Sequence, residues 1–123
     1  MDKRSIVHVE IPAKDREASA RFFHEVFGWE YEHAEQPAPY TLFRTGNIGG
    51  GLPDVQDFYQ PGHVILYVDS DDIQADLDRI EAAGGKALSS PFMVGDFGEM
   101  AFFADPAGNR LALWREIGSQ PQP

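Results

Sequence analysis

Two histidines in matching surroundings carry the most legible chemistry of this chain. His8 stands in "VHVEIP" and His63 in "GHVILYV", and each opens an alternating apolar run of the kind that makes a half-buried strand. Neutral imidazole is a common ligand for divalent metals, so a histidine at the start of each of two strands raises the question of a metal site. Residues two apart on a strand share a face, so Glu10 points the way His8 does. His8, Glu10 and His63 would together make a two-histidine, one-carboxylate donor set with open positions. The same side chains are also at home as hydrogen-bonded structural groups of a strand, and both readings stand at this point. His24 and His33 have no matching partner and read as surface residues. The catalytic residues are left unassigned: no serine sits in a nucleophile motif, and "NIGGG" lacks the spacing and following lysine of a phosphate loop.

The elements that must position these residues come in two sets. Each strand runs into an acidic helix start, with Asp15 placed to cap the first helix and Asp71 or Asp72 the second. "REASARFFHEVFG" sets Ala18, Phe22, Phe23, Val26 and Phe27 on one face, and "IQADLDRIEAAGG" sets Ile73, Leu77, Ile80 and Ala83 on another. Glycine ends both helices. Three strand-like runs follow each: "WEYEHA", "YTLFRT" and "IGGGL", then "KALSSPFM", "GEMAFFA" and "RLALWRE", with an edge break expected at Pro91. The order is βαβββ twice, over residues 5–52 and 63–116, with a linker at 53–62 and a frayed tail at 117–123. A module of about 60 residues is too small to bury its sheet alone. An α+β fold follows, in which two tandem modules form one curved mixed sheet around a cleft within a single domain, residues 1–123.

Composition bounds the partners. The 123 residues are 42% hydrophobic and include nine Phe and two Trp, enough for a real core. Cysteine is absent, which excludes disulfides, thiolate nucleophiles and Cys-based metal sites. Twenty acidic against ten basic side chains give a formal net charge of −10, which disfavours nucleic acid and anionic membrane surfaces as partners and suits a cationic ligand. No apolar run approaches the roughly 18 residues of a membrane span, nor does "MDKRSIVHVE" read as a signal peptide, so a cytoplasmic protein is expected.

"HVEIPAKDREASARFFHEVFGWEY", "VDSDDIQADLDRIEAAGGKAL" and, most specifically, "FFADPAGNRLALW" resemble the vicinal oxygen chelate superfamily. This is the group of glyoxalase I, bleomycin-resistance proteins and extradiol dioxygenases; the resemblance runs over residues 5–116, and "FFHEVFGWEY" and "IGGGLP" are similar to its small bacterial glyoxalase-like branch. It implies a homodimeric or module-paired cleft that takes a small molecule. In the metalloenzymes a divalent metal, here Zn, Ni, Mn or Fe, is held by residues of the first and last strands of each module. The first-strand positions map onto His8 and His63. The last-strand carboxylates do not appear: Ala112 stands where "GNxxELW" has glutamate, and Gly50 stands at the first-half equivalent. A standard glyoxalase I is therefore disfavoured, and a site with one metal and a site with none are both open.

Strand parity adds Ile65 and Tyr67 beside His63, and Trp114 beside Ala112; a simple hairpin at "DPAGN" would put Phe103 next to Ala112. An aromatic, carboxylate-edged cleft suits a flat or cationic molecule through stacking and cation–π contact. Two function classes follow: a lyase, isomerase or oxygenase of the vicinal oxygen chelate type with a divergent site, and a metal-free protein that sequesters a ligand without chemistry.

Overall fold

A computed structural model describes residues 3–118. Among them, residues 8–65 form one compact unit, and residues 3–7 with 66–118 form another. The division falls inside the two first strands, not in the expected linker.

In the first unit the order is β1 (Ile6–Glu10), α1 (Arg16–Phe27), β2 (Glu30–Ala34), β3 (Tyr40–Arg44) and β4 (Gly49–Leu52). The strands lie side by side as β2-β3-β4-β1; β2–β3 and β3–β4 are antiparallel, and β1 runs parallel to β4 with Val9 opposite Gly50 and Glu10 opposite Gly51. The Asp15 carboxylate accepts from the Ala18 N–H and starts α1, while Gly28 ends it in the left-handed conformation at φ 74°, where a Cβ would be strained. Helix and sheet close on Ala13, Ala20, Phe43 and Leu52, ringed by Ile11, Phe23, Trp29 and Tyr31. Trp29 stacks on Phe43 with centroids 5.1 Å apart. Those rings meet Phe23 and Ala20, so the buried face of α1 is narrower than its apolar spacing suggests. Ala18 is exposed, and Phe22, Val26 and Phe27 remain more than half exposed. The expected linker is partly structured: Ala13 N–H donates to Pro53 O at 2.9 Å, and Gln56 and Tyr59 exchange two backbone hydrogen bonds of 2.9 and 2.8 Å.

The second set comprises β5 (Ile65–Asp69), α2 (Ile73–Ala82), β6 (Lys86–Ala87), β7 (Phe92–Val94), β8 (Gly98–Ala104) and β9 (Arg110–Glu116). The strand order is β5-β9-β8-β6, with β7 also on β8 and β5 parallel to β9. "KALSSPFM" breaks into β6 and β7 around Pro91, as expected of a residue that cannot donate to a ladder. Asp72, not Asp71, caps α2 by accepting from Ala75 N–H. Ile73, Leu77, Ala101 and Leu113 make the helix-side core, with Val68, Ile80, Ala87 and Phe103 packed against it. Asp76 in the first turn of α2 is buried and takes both guanidinium nitrogens of Arg4, at 2.7 and 3.1 Å, and the Ser70 hydroxyl at 2.6 Å. The hydrogen bond from Arg4 holds its carboxyl below the usual range. Of the expected tail, residues 119–123 lie outside the described residues; Ile117 and Gly118 donate to Phe97 O at 2.7 and 3.0 Å.

Two hairpins decide which side chains share a face. The first closes at Arg44 opposite Gly49, the second at Ala104 opposite Arg110, so its loop is one residue longer. Counted from those closing pairs, the counterpart of Ala112 is Gly51, not Gly50. A Cβ on Gly50 would run into the Phe43 ring of the helix-side core, which places Gly50 on the face away from Glu10. The longer loop also sets Phe102, not Phe103, opposite Ala112; Phe103 packs on the α2 side.

Candidate functional site

His8 and Glu10 share the face of β1 away from α1, and Tyr40 opens β3 on the same side of the sheet. Between β1 and β3 lies β4, where Gly51 is opposite both Glu10 and Leu42. A Cβ at Gly51 would overlap the Tyr40 ring and hydroxyl, so the absence of a side chain there is what lets the phenol cross β4 to β1. The Tyr40 hydroxyl donates to Glu10 Oε2 at 2.6 Å. Its one proton thus used, the phenol oxygen takes the Nε2–H of His8 at 2.9 Å, which fixes the His8 tautomer. The His8 and Tyr40 rings are nearly parallel, at 21° with centroids 6.4 Å apart.

Burial sets the charges of the trio. Glu10 is only 5% exposed. Desolvation lowers His8 to about 4, so its imidazole is neutral at neutral pH. The Tyr40 hydroxyl is pushed well above its ordinary value of 10, first by burial and then by the Glu10 charge, with a smaller electrostatic contribution from Tyr59. A buried carboxylate hydrogen-bonded to a phenol that keeps its proton is a donor and acceptor set of the kind used in general acid–base chemistry.

His63 does not join them in a donor set. It precedes β5, is exposed, and its backbone N–H donates to Gln60 O at 3.0 Å. Helix caps give the physical reason. Glu10 lies five residues before Asp15 and Tyr67 five before Asp72, and each faces a matching position of its parallel partner, Gly51 and Ala112. By that register the counterpart of His8 is Ile65, which is 1% exposed. Among the described residues no group of three or more His, Asp or Glu side chains is placed to hold a metal ion. Ala112 is fully buried and Gly51 has no side chain, so neither supplies a donor. As placed, these residues do not fit the metal centre that the resemblance implies.

The corresponding face in the second unit is apolar. Tyr67, Met100, Phe102 and Ala112 are all buried there. The Tyr67 hydroxyl reaches Met100 Sδ at 3.8 Å, and the Trp114 ring lies edge-on to Tyr67 with centroids 6.4 Å apart. Gly98 gives Trp114 room in the way Gly51 does for Tyr40, and the indole N–H donates to Glu116 at 2.8 Å.

No pattern in the chain marks Tyr40; a tyrosine at the head of a strand is ordinary, and only the gap left at Gly51 lets it reach Glu10. The remaining histidines do more than cover surface. His24 Nδ1 pairs with Trp29 O at 2.9 Å, and His33 links Glu17 of α1 to the buried hydroxyl of Thr41. A hollow of about 450 Å³ lies beside His33, lined also by Lys14, Asp15, Arg16, Glu17 and Asp54. Its charges answer one another, as Arg16 does Asp54 at 3.0 Å.

Comparison with known proteins agrees with this architecture. The family model described as Glyoxalase/Bleomycin resistance protein/Dioxygenase superfamily matches residues 5–113. A glyoxylase-like domain-containing protein of Didymella fabae is 31% identical over 119 residues, covering 89% of this chain and 92% of that protein. The anthracycline biosynthesis protein DnrV of Streptomyces peucetius is 31% identical over 124 residues, covering 87% of this chain and 45% of DnrV. The chain spans about half the length of most of the curated relatives it matches, 45% or 46%. Among solved structures, methylmalonyl-CoA epimerase of Mycobacterium tuberculosis superposes with a TM-score of 0.70 at 16% identity, over 92% of this chain and 88% of that one. At such identity the likeness is one of fold. No described helix is long and apolar enough to cross a membrane.

Proposed function

Because the chain belongs to the Glyoxalase/Bleomycin resistance protein/Dioxygenase superfamily, we propose that it acts on a small carbonyl compound by proton transfer, with Glu10 as the base. One observation carries the reading: a carboxylate only 5% exposed, held 2.6 Å from a protonated phenol on the sheet face opposite the α1-side core. The name of the glyoxylase-like relative supports a carbonyl substrate. A carboxylate drawn out of water is a stronger base toward a bound C–H acid than one in solution. No step is routed through a metal. Most of the matched curated relatives are about twice as long as this chain, which supports a working unit of two copies.

The test is exchange of solvent deuterium into hydroxyacetone and methylglyoxal, followed by proton NMR in D2O. Wild-type protein is expected to speed loss of the α-proton signals, and Glu10→Gln to lower that rate at least about 100-fold while remaining folded. Exchange at the same rate in Glu10→Gln, or none in wild type, overturns the reading.

A second reading rests on the apolar face of residues 66–118, where Tyr67 and Trp114 stand edge to face. Such rings, with a net charge of −10, suit sequestration of a flat cationic molecule without chemistry. A thermal-shift screen of planar cations, unaffected by Glu10→Gln, is its expected signature.

A further inference from the structure

We propose that the Tyr40 hydroxyl is the group that stabilises the oxyanion formed at this site, in the place a metal ion would take, and that Gly51 is the positioning residue that seats it. The inference rests on Glu10 being the base. Removal of a proton next to a carbonyl puts negative charge on the carbonyl oxygen, and some donor must meet that charge. The donor set for a cation is not assembled among the described residues. A donor of another kind is: the phenol O–H lies 2.6 Å from the base itself and is tied on its other side to His8 at 2.9 Å.

The step balances on these groups. A carbonyl compound entering beside Tyr40 takes over the hydrogen bond that Glu10 accepts at rest. The Glu10 carboxylate removes the α-proton, the C–H pair becomes the C=C bond, and the carbonyl π pair moves to oxygen. Tyr40 holds that oxygen by its O–H without giving up the proton, in keeping with a hydroxyl raised above its ordinary range. The neutral His8 Nε2–H donates to the phenol oxygen and polarises the O–H toward the substrate. Return of the proton from Glu10 to carbon completes exchange or shifts the double bond.

Gly51 belongs to the same device. Any Cβ there occupies the space of the Tyr40 ring and hydroxyl, and the ring must then swing off β4. The three atoms nearest that Cβ all belong to Tyr40, while Glu10 and His8 are carried by the neighbouring strand β1, so the substitution is aimed at the donor and leaves the base in the chain.

The experiment compares Tyr40→Phe, Gly51→Ala and the double variant in the deuterium-exchange assay, beside Glu10→Gln. Loss of one oxyanion donor predicts a fall in kcat of about 100-fold with KM changed by less than about 3-fold. Gly51→Ala is expected to fall comparably, and the double variant no further than Tyr40→Phe, because both remove one interaction. Should either variant unfold, 13C NMR of the Tyr40 ring in wild type decides: acetohydroxamate, an enolate mimic, is expected to shift its Cζ resonance. Full kcat in Tyr40→Phe, or no Cζ shift on saturation, overturns the assignment of Tyr40 while leaving Glu10 as base. Full activity in Glu10→Gln overturns the underlying reading instead.

Discussion

Residues 8–65 and 66–118 carry the same strand–helix–hairpin order, and their sheets turn opposite kinds of face away from the helices. In the first, Glu10, Tyr40 and His8 form a hydrogen-bonded trio. In the second, Tyr67, Met100, Phe102 and Ala112 form a buried apolar surface beside Trp114. Register makes the substitutions explicit: Glu10 corresponds to Tyr67, Gly51 to Ala112, and His8 to Ile65. Both faces use a glycine to lay a ring flat on the sheet, Gly51 under Tyr40 and Gly98 under Trp114. The backbone device is the same in both units, and the side chains around it differ. The ring over a glycine ends in an indole N–H bonded to Glu116 in one unit and in a phenol hydrogen-bonded to Glu10 in the other.

Breaking that contrast by force has the largest expected effect. Ala112→Glu would put a carboxylate at a position with no exposure, against Tyr67 and opposite Phe102, where the Tyr67 hydroxyl is turned to Met100 Sδ. Burial of an unpaired charge predicts a loss of about 4 kcal/mol, or a carboxyl that stays protonated at neutral pH. Urea unfolding of the variant measures it, as a shift in midpoint at constant m. Stability equal to wild type, with the carboxylate ionised, would show that the second face is as polar as the first and end the comparison.

The next effect is pH dependence carried by His8. Its pKa falls from an unfolded 6.5 to about 4 in the fold, because burial disfavours the imidazolium. The unfolded chain therefore binds the proton first as pH drops. The stability that His8 contributes is whole above 6.5 and is lost progressively between 6.5 and 4. The difference converts to a ceiling of about 3 kcal/mol. Thermal melts of wild type and His8→Asn from pH 7.5 to 4.5 separate this from the carboxylates. Wild type is expected to lose more, and parallel curves would mean that the site is wetter than its geometry indicates.

Much of this architecture was legible in the chain. Both helix starts, the strand runs from Glu30 to Leu52 and from Gly98 to Glu116, and the break at Pro91 follow from caps, alternation and proline chemistry. Glu10 shares a face with His8, as strand parity predicts. What escaped was register. The match of "HVEIPAKD" to "HVILYVDS" is two residues out against the helix caps, and a slip of two keeps side-chain parity, so nothing in the pattern exposes it. The hairpin loops differ by one residue, and that slip does change the face; it moved the expectation from Gly51 to Gly50 and from Phe102 to Phe103. Tyr40 was invisible for a related reason, since its partner is decided by the gap a glycine leaves on a neighbouring strand. Local sequence encodes which residues alternate, whereas pairing across strands depends on loop length.

The smallest effect tests the slip itself. His63 is exposed ahead of β5 and, by register, does not stand where His8 stands. His63→Ala is therefore expected to change stability by less than about 0.5 kcal/mol, as exposed substitutions generally do. It should also leave deuterium exchange unaltered, and leave the metal retained after incubation with Zn²⁺, Ni²⁺, Mn²⁺ or Fe²⁺ at the wild-type level, read by elemental mass spectrometry. The opposite result would be informative in a definite way. Near-stoichiometric metal in wild type that disappears in His63→Ala would mean that residues 63–64 extend β5 on loading and carry the imidazole to the site. Matched by sequence, not by register, the two histidines would then be the true pair, and Tyr40 would be the lid of a metal centre in place of its substitute.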